Sequence, residues 1–138
     1  MKLLREILYK VEINSLVGNT SLSINKIEFD SRLISDGDMY IAITGVNVDG
    51  HSFISQAIQN GANCIVCEKI PEKKIDGIVY VNVKSSRKAL AIISSNYFDN
   101  PSSKLNLVGV TGTNGKTTIA TLLFDLYTAL EIKSGLIS

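Results

Sequence analysis

The sequence predicts an α/β fold with a mostly parallel sheet, followed by the opening of a second module, on three observations. Apolar runs of strand length alternate with segments of helical spacing, the pattern of a parallel sheet whose strands are joined by crossover helices. A cluster of turn formers, Asp99-Asn100-Pro101-Ser102-Ser103, interrupts that alternation. Beyond it an apolar strand runs into a glycine-rich turn and then an amphipathic helix. The expected division is therefore residues 1–103 and residues 104–138.

Each element has a local reason. Leu3, Leu4, Ile7, Leu8 and Val11 have helical spacing, so the chain is expected to open on a short amphipathic helix. Ser23–Asp30 reads as a strand through Ile24, Ile27 and Phe29, with the turn former Asp36-Gly37-Asp38 beyond it. Met39–Thr44 reads as a second strand, closed by Gly45. Ser52 can cap a helix carrying Phe53, Ile54, Ala57 and Ile58 that stops at Asn60-Gly61. Strands Cys64–Glu68 and Ile78–Val83 follow, separated by the turn-rich Pro71–Gly77. Ser85 or Ser86 then starts a helix with Ala89, Leu90, Ile92, Ile93 and Tyr97 on its apolar side. After the linker come a strand at Leu105–Thr111, a helix through Ile119, Leu122, Leu123, Leu126 and Leu130, and the first residues of another strand at Ser134–Ser138.

Composition narrows the function classes. At 45% hydrophobic and 20% charged residues, the chain reads as a globular domain. Its net charge of +1 gives no bulk attraction to nucleic acid or to a membrane surface. No apolar run approaches the roughly 18 residues of a membrane span, and Met1–Glu6 is too mixed for a signal peptide, which points to the cytoplasm. Cys64 and Cys67 form a C-x-x-C, but they lie in a strand-like run, where positions three apart face opposite sides. With His51 as the one histidine and no second cysteine pair, they read as packing residues of a reducing compartment.

The sharpest motif is Val108-Gly109-Val110-Thr111-Gly112-Thr113-Asn114-Gly115-Lys116-Thr117-Thr118. Gly112 and Gly115 let the backbone curl so that successive N–H groups converge on one oxyanion. Lys116 sets an ammonium beside the β- and γ-phosphates, and the Thr117 hydroxyl is placed to ligate Mg²⁺. The positive end of the following helix adds to both. The general P-loop pattern is not met in full, because Val110 holds the place of its first glycine and Gly109 lies one residue earlier. A P-loop domain also needs several parallel strands and an acidic metal partner, so residues 104–138 read as a truncated start of a P-loop ATPase-type domain, and the chain as the front part of a longer protein.

Thr111–Thr118 resembles the ATP loop of the Mur ligases, the ATP-dependent amino-acid-adding enzymes of peptidoglycan synthesis. Upstream, Asp30-Ser31-Arg32, Gly37-Asp38, Ile41-Ala42, Gly45, Asp49-Gly50-His51-Ser52-Phe53-Ile54, Ala57, Gly61-Ala62 and Glu68 follow in order. Together they resemble the nucleotide-sugar-binding domain of the MurE type, and the resemblance covers nearly the whole chain. It implies that residues 1–103 bind a UDP-sugar substrate, with Phe29, Ser31 and the segment Val46-Asn47-Val48 against the UDP. For Arg32 two readings stand: a fork on the pyrophosphate, or a partner of Asp30 that holds the loop. Asp49-Gly50-His51 is expected to be a structural turn. Asp99-Asn100-Pro101-Ser102 resembles by three letters an amino-acid-selecting D-N-P-R element of the family, but its place in the linker makes it turn chemistry.

The implied function is amide formation through an acyl-phosphate. The D-Glu carboxylate of UDP-MurNAc-L-Ala-D-Glu attacks the γ-phosphate of ATP, and an amino acid's amine then displaces phosphate. Gly112, Thr113, Asn114, Gly115, Lys116, Thr117 and Thr118 are expected to bind ATP. Lys116 is the catalytic residue and Thr117 the metal ligand, with ATP and Mg²⁺ as cofactors. Two alternatives remain: a MurF-type ligase adding the terminal dipeptide, for which T-G-S would be expected at Thr111-Gly112-Thr113, and a nucleotide-sugar-binding module without catalysis.

Overall fold

A computed structural model of the chain describes residues 1–45 and 48–137. The chain divides into two compact units, Met1–Ser103 and Lys104–Ser138. The first runs β1 (Lys2–Leu3), α1 (Leu4–Ile7), β2 (Ile13–Val17), β3 (Ser23–Ile24), β4 (Ile27–Glu28), β5 (Asp38–Ile41), α2 (Ile54–Gln59), β6 (Ala62–Cys67), β7 (Val79–Val83) and α3 (Ser86–Tyr97). The fold is mixed α/β around a mostly parallel sheet in the order β2-β7-β6-β5-β4. Strands β4 to β7 are mutually parallel, and β2 is antiparallel to β7.

The apolar runs in β5, β6 and β7 are buried because helices cover both faces of the sheet. Met39, Ile41, Cys64, Val66, Val79, Val81 and Val83 form one core layer with Leu4 and Ile7 of α1 and Ala89 and Ile93 of α3. Tyr40, Ile65, Cys67 and Tyr80 form the opposite layer with Ile54 and Ala57 of α2. The two cysteines thus fall on opposite faces, both buried and unpaired. Burial raises both thiols, Cys67 to about 11, so neither is a thiolate at neutral pH.

Several elements differ from the sequence reading. The opening helix is a single turn, since Nδ2 of Asn96 donates to the carbonyls of Ile7 (2.9 Å) and Tyr9 (2.6 Å) and ends it there. Ser23–Asp30 is split between two sheets. Asn25 bonds the 36–37 turn through its N–H (to Gly37 O, 3.0 Å) and its side chain (to Asp36 O, 2.8 Å), so β3 pairs with β1 and only β4 joins the main sheet. Edge strand β2 was not foreseen, because most of Ile13-Asn14-Ser15-Leu16-Val17 is exposed and its apolar pattern is weak. Asp49, not Ser52, caps the turn before α2, its side chain accepting from the His51 N–H; a 3-10 turn at Gly50–Phe53 leads into the helix.

In the second unit the expected helix is present as α4 (Lys116–Ala129). The strands expected at Leu105–Thr111 and Ser134–Ser138 carry no ladder among the described residues. A strand is defined by its partner, and neither segment has one here. Ile119, Leu122, Leu126 and Leu130 form an exposed stripe along α4.

Candidate functional site

Strands β4 to β7 point the same way, so the segment after each strand emerges at one rim of the sheet, the edge where open α/β sheets take their ligands. After β4 comes the Asp30-Ser31-Arg32 element, a 3-10 turn at Ser31–Leu33 capped by Asp30. Ser31 is only 5% exposed. Its hydroxyl donates to Oε1 of Gln56 (2.8 Å), and its carbonyl accepts from Nδ2 of Asn60 (2.8 Å). Gln56 and Asn60 are one helical turn apart, so α2 and its C-cap grip Ser31 at two points. With its proton given to Gln56, the Ser31 oxygen can only accept from anything else that approaches.

Arg32 lies in a fork on Asp30: Nε donates to Oδ1 (2.9 Å) and Nη2 to Oδ2 (2.7 Å), while the backbone N–H also donates to Oδ1 (3.0 Å). The guanidinium and the N–H hold the Asp30 carboxyl at about 2, and Asp30 raises Arg32 in return. Both readings of Arg32 survive this geometry, because its side chain is 79% exposed and keeps donors beyond the fork. Phe29 and Val48 expose large apolar surfaces, at 62% and 59%. Val46 and Asn47 lie outside the described residues.

After β5 the chain turns in a hairpin. Thr44 bridges to Asp49, and the Gly45 N–H donates to Val48 O (3.0 Å). A Cβ on Gly45 would sit 2.5 Å from that carbonyl, so the stem closes only around glycine. His51 is a structural residue, as expected. Its Nδ1 lies 2.6 Å from Oδ1 of Asp49, and its Nε2 accepts from the backbone N–H of Glu68 (2.9 Å). These partners assign the proton to Nδ1. Hydrogen bonds from the His51 N–H and ring lower the Asp49 carboxyl. Gln56, Asn60 and Thr44 carried no sequence signal of their own. Glu68 appeared only as one member of the motif series.

The phosphate loop is the second candidate. Gly115 caps α4 at φ +74°, a left-handed conformation that glycine alone adopts without strain. Among the described residues no side chain caps α4, so its first-turn N–H groups lack a cap that would compete with an anion. Nζ of Lys116 donates to the carbonyls of Gly112 (2.7 Å) and Thr113 (3.3 Å), folding the ammonium over the same loop. This donor set of amides, ammonium and the Thr117 hydroxyl suits a phosphate. Among the described residues, no three His, Cys, Asp or Glu side chains are grouped to hold a metal. Two cavities, of about 410 Å³ beside Gly18 and Gly77 and about 250 Å³ beside Glu12 and Lys88, include none of these residues.

Residues 23–98, more than half of the chain, match the model of the Mur ligase family, catalytic domain. The chain belongs to the Mur ligase family. It is 49% identical over 136 residues to a UDP-N-acetylmuramoyl-L-alanyl-D-glutamate--2,6-diaminopimelate ligase of Cytophaga hutchinsonii, covering 98% of this chain and 28% of that protein. The ligase of the same name from Bacteroides thetaiotaomicron is 45% identical over 136 residues, covering 99% and 28%. This Mur ligase chain thus spans little more than a quarter of the curated relatives it matches. Among solved structures, MurF from Acinetobacter baumannii superposes with a TM-score of 0.67 at 23% identity, over 94% of this chain and 28% of that one, a likeness of fold. MurF ligase from Thermotoga maritima, in complex with ADP, has a TM-score of 0.54 at 32% identity over 76% of this chain and 23% of that one.

Proposed function

We propose that this chain is the nucleotide-sugar-binding and ATP-loop portion of a MurE-type ligase, which joins an amino acid to UDP-N-acetylmuramoyl-L-alanyl-D-glutamate. The observation that carries the reading is the 49% identity, over 98% of this chain, to a relative named for that substrate. The unbroken order of motifs from Asp30 to Thr118 supports it.

In this reading residues 1–103 hold the UDP moiety. The Ser31 oxygen accepts a donor of the nucleotide, and Phe29 and Val48 supply apolar surface. Val46 and Asn47 join them, and Arg32 reaches the pyrophosphate with the donors its fork leaves over. Residues 104–138 contribute the ATP loop. Backbone N–H groups of Gly112–Thr118 cradle the phosphates, and Lys116 leaves its carbonyl partners to meet the γ-phosphate. The Thr117 hydroxyl would hold Mg²⁺, which would supply charge to offset that of the phosphates. The D-Glu carboxylate oxygen bonds to the γ-phosphorus as the bond to the ADP oxygen breaks. The amine then attacks the acyl carbon, loses a proton and expels phosphate. The amine in the relatives' names, 2,6-diaminopimelate, is the first to supply. This reading places the reaction in the cytoplasm; among the described residues no helix is long and apolar enough to cross a membrane.

The MurF-type reading rests on the solved structures, but the three from Acinetobacter baumannii are only 23% identical to this chain and carry the fold alone, and Thr113 in the loop favours the MurE type. Titration calorimetry of the chain with UDP-N-acetylmuramoyl-L-alanyl-D-glutamate tests the proposal. Binding that free UDP competes away is expected. No binding at millimolar ligand refutes it.

A further inference from the structure

Glu68 directly follows β6, the middle strand of the five, and four separate segments converge on it. Its N–H donates to Nε2 of His51 (2.9 Å), and its carbonyl accepts from Nδ2 of Asn82 in β7 (2.9 Å). Its Oε1 accepts from the N–H of Ser86, the first residue of α3 (2.9 Å), and its Oε2 from the Thr44 hydroxyl (3.3 Å). One residue thus joins the ends of β5, β6 and β7 to the start of a helix.

Two of these ties fall on opposite stems of the hairpin that carries Val48. Thr44, on the first stem, is held by the Glu68 carboxylate. Asp49, on the second, is held by His51, whose other nitrogen takes the Glu68 N–H. A hairpin tied by one stem can pivot about the tie, whereas one tied by both is fixed relative to the sheet. We infer that Glu68 and His51 are positioning residues for the nucleotide-sugar contact: they clamp both stems of the hairpin to β6 and so set where Val48 stands relative to Ser31. Neither touches the ligand. The inference rests on the nucleotide-sugar reading of this rim.

The proposal separates from a purely stabilising role by comparing affinity with melting temperature in the 138-residue chain, with UDP as the probe. Thr44→Val keeps shape and removes only the tie to Oε2. It should weaken UDP binding about threefold while moving the melting temperature by no more than about 2 °C. Glu68→Ala removes the same tie to Thr44 together with the bond to the Ser86 N–H, while the backbone tie to His51 remains, and should weaken binding at least as much as Thr44→Val, whereas Glu68→Gln, which still offers an oxygen and a polar nitrogen, should stay within about twofold. If wild type binds UDP and the Thr44→Val and Glu68→Ala proteins bind it equally well, even at lowered melting temperatures, the clamp is structural only and the inference fails. A wild-type chain that binds no UDP overturns the nucleotide-sugar reading and this inference together.

Discussion

Ser31→Ala is the most direct probe of the rim. The substitution removes the 2.8 Å bond to Gln56 and leaves the carbonyl bond from Asn60 in place. Gln56 is exposed, so its freed oxygen turns to water, and the loss lies near the middle of the range for a neutral hydrogen bond, about 1 kcal/mol. In a unit of this size that lowers the melting temperature by about 4 °C or slightly more. If the Ser31 oxygen also accepts from the nucleotide, UDP affinity falls by a further hydrogen bond's worth, about 2–10-fold. Gln56→Ala provides the control, since it removes the same internal bond and spares the Ser31 oxygen. The two variants should therefore bind UDP differently, with Gln56→Ala melting no higher than Ser31→Ala because it leaves the buried Ser31 hydroxyl without its acceptor. Calorimetric titrations at one ionic strength, paired with thermal melts, read both quantities. Equal UDP affinity for wild type and Ser31→Ala would remove Ser31 from the site and leave it as the residue through which α2 holds the turn.

Four further outcomes are expected. In a ligase of the relatives' full length, Lys116→Ala should reduce ATP-dependent amide synthesis by several kcal/mol of transition-state stabilisation, to below detection in a phosphate-release assay; near-normal turnover would show that the loop does not serve ATP. Asp30 should titrate near pH 2 in carboxyl-carbon NMR and move toward its ordinary value in Arg32→Ala; because its folded value lies below the unfolded one, the small stabilisation from this exposed pair is complete above about pH 4 and disappears as the pH falls toward 2. Cys64 and Cys67 should resist a thiol reagent at pH 8 in the native chain and react fully in denaturant; rapid native labelling of both would contradict their burial. Ser86→Ala should raise the melting temperature by a few degrees, because the buried Ser86 hydroxyl has no hydrogen-bond partner among the described residues and its removal ends that desolvation cost.

The layers of the first unit were legible because burial on both faces leaves a strong signature. Cys64–Glu68 and Ile78–Val83 are apolar runs of strand length, and each matches an observed strand to within two residues. The helix at Ser86 was equally plain, with Ser85 accepting from the Lys88 N–H at its start. What failed was whatever depended on a distant partner. The end of α1 is set by Asn96, nearly ninety residues away in sequence, and the break between β3 and β4 by the turn at Asp36. Strand β2 hid because an exposed edge needs little apolar content. At the candidate site the motif letters were visible, but the residues holding them were not. Gln56 looks like any exposed helical glutamine, and nothing in Thr44 announces that its hydroxyl reaches Glu68.

The order of those motif letters has a structural cause. In a sheet whose parallel strands are laid down in chain order, each successive post-strand segment emerges one strand further along the same rim. Ser31 follows β4, Thr44 and His51 follow β5, Glu68 follows β6, and Ser86 follows β7. Neighbours across the rim are therefore neighbours in motif order, and each hydrogen bond of the Glu68 hub links adjacent segments of that series. Ser31 belongs to the same rim but is held by α2, which lies on one face of the sheet, and the Glu68 hub also holds the start of α3, which lies on the other. The rim is thus anchored to both core layers. A substitution that loosens either layer, such as Ala57→Gly in α2 or Ala89→Gly in α3, should disturb the rim from its own side first, Ser31 in the one case and the hairpin in the other.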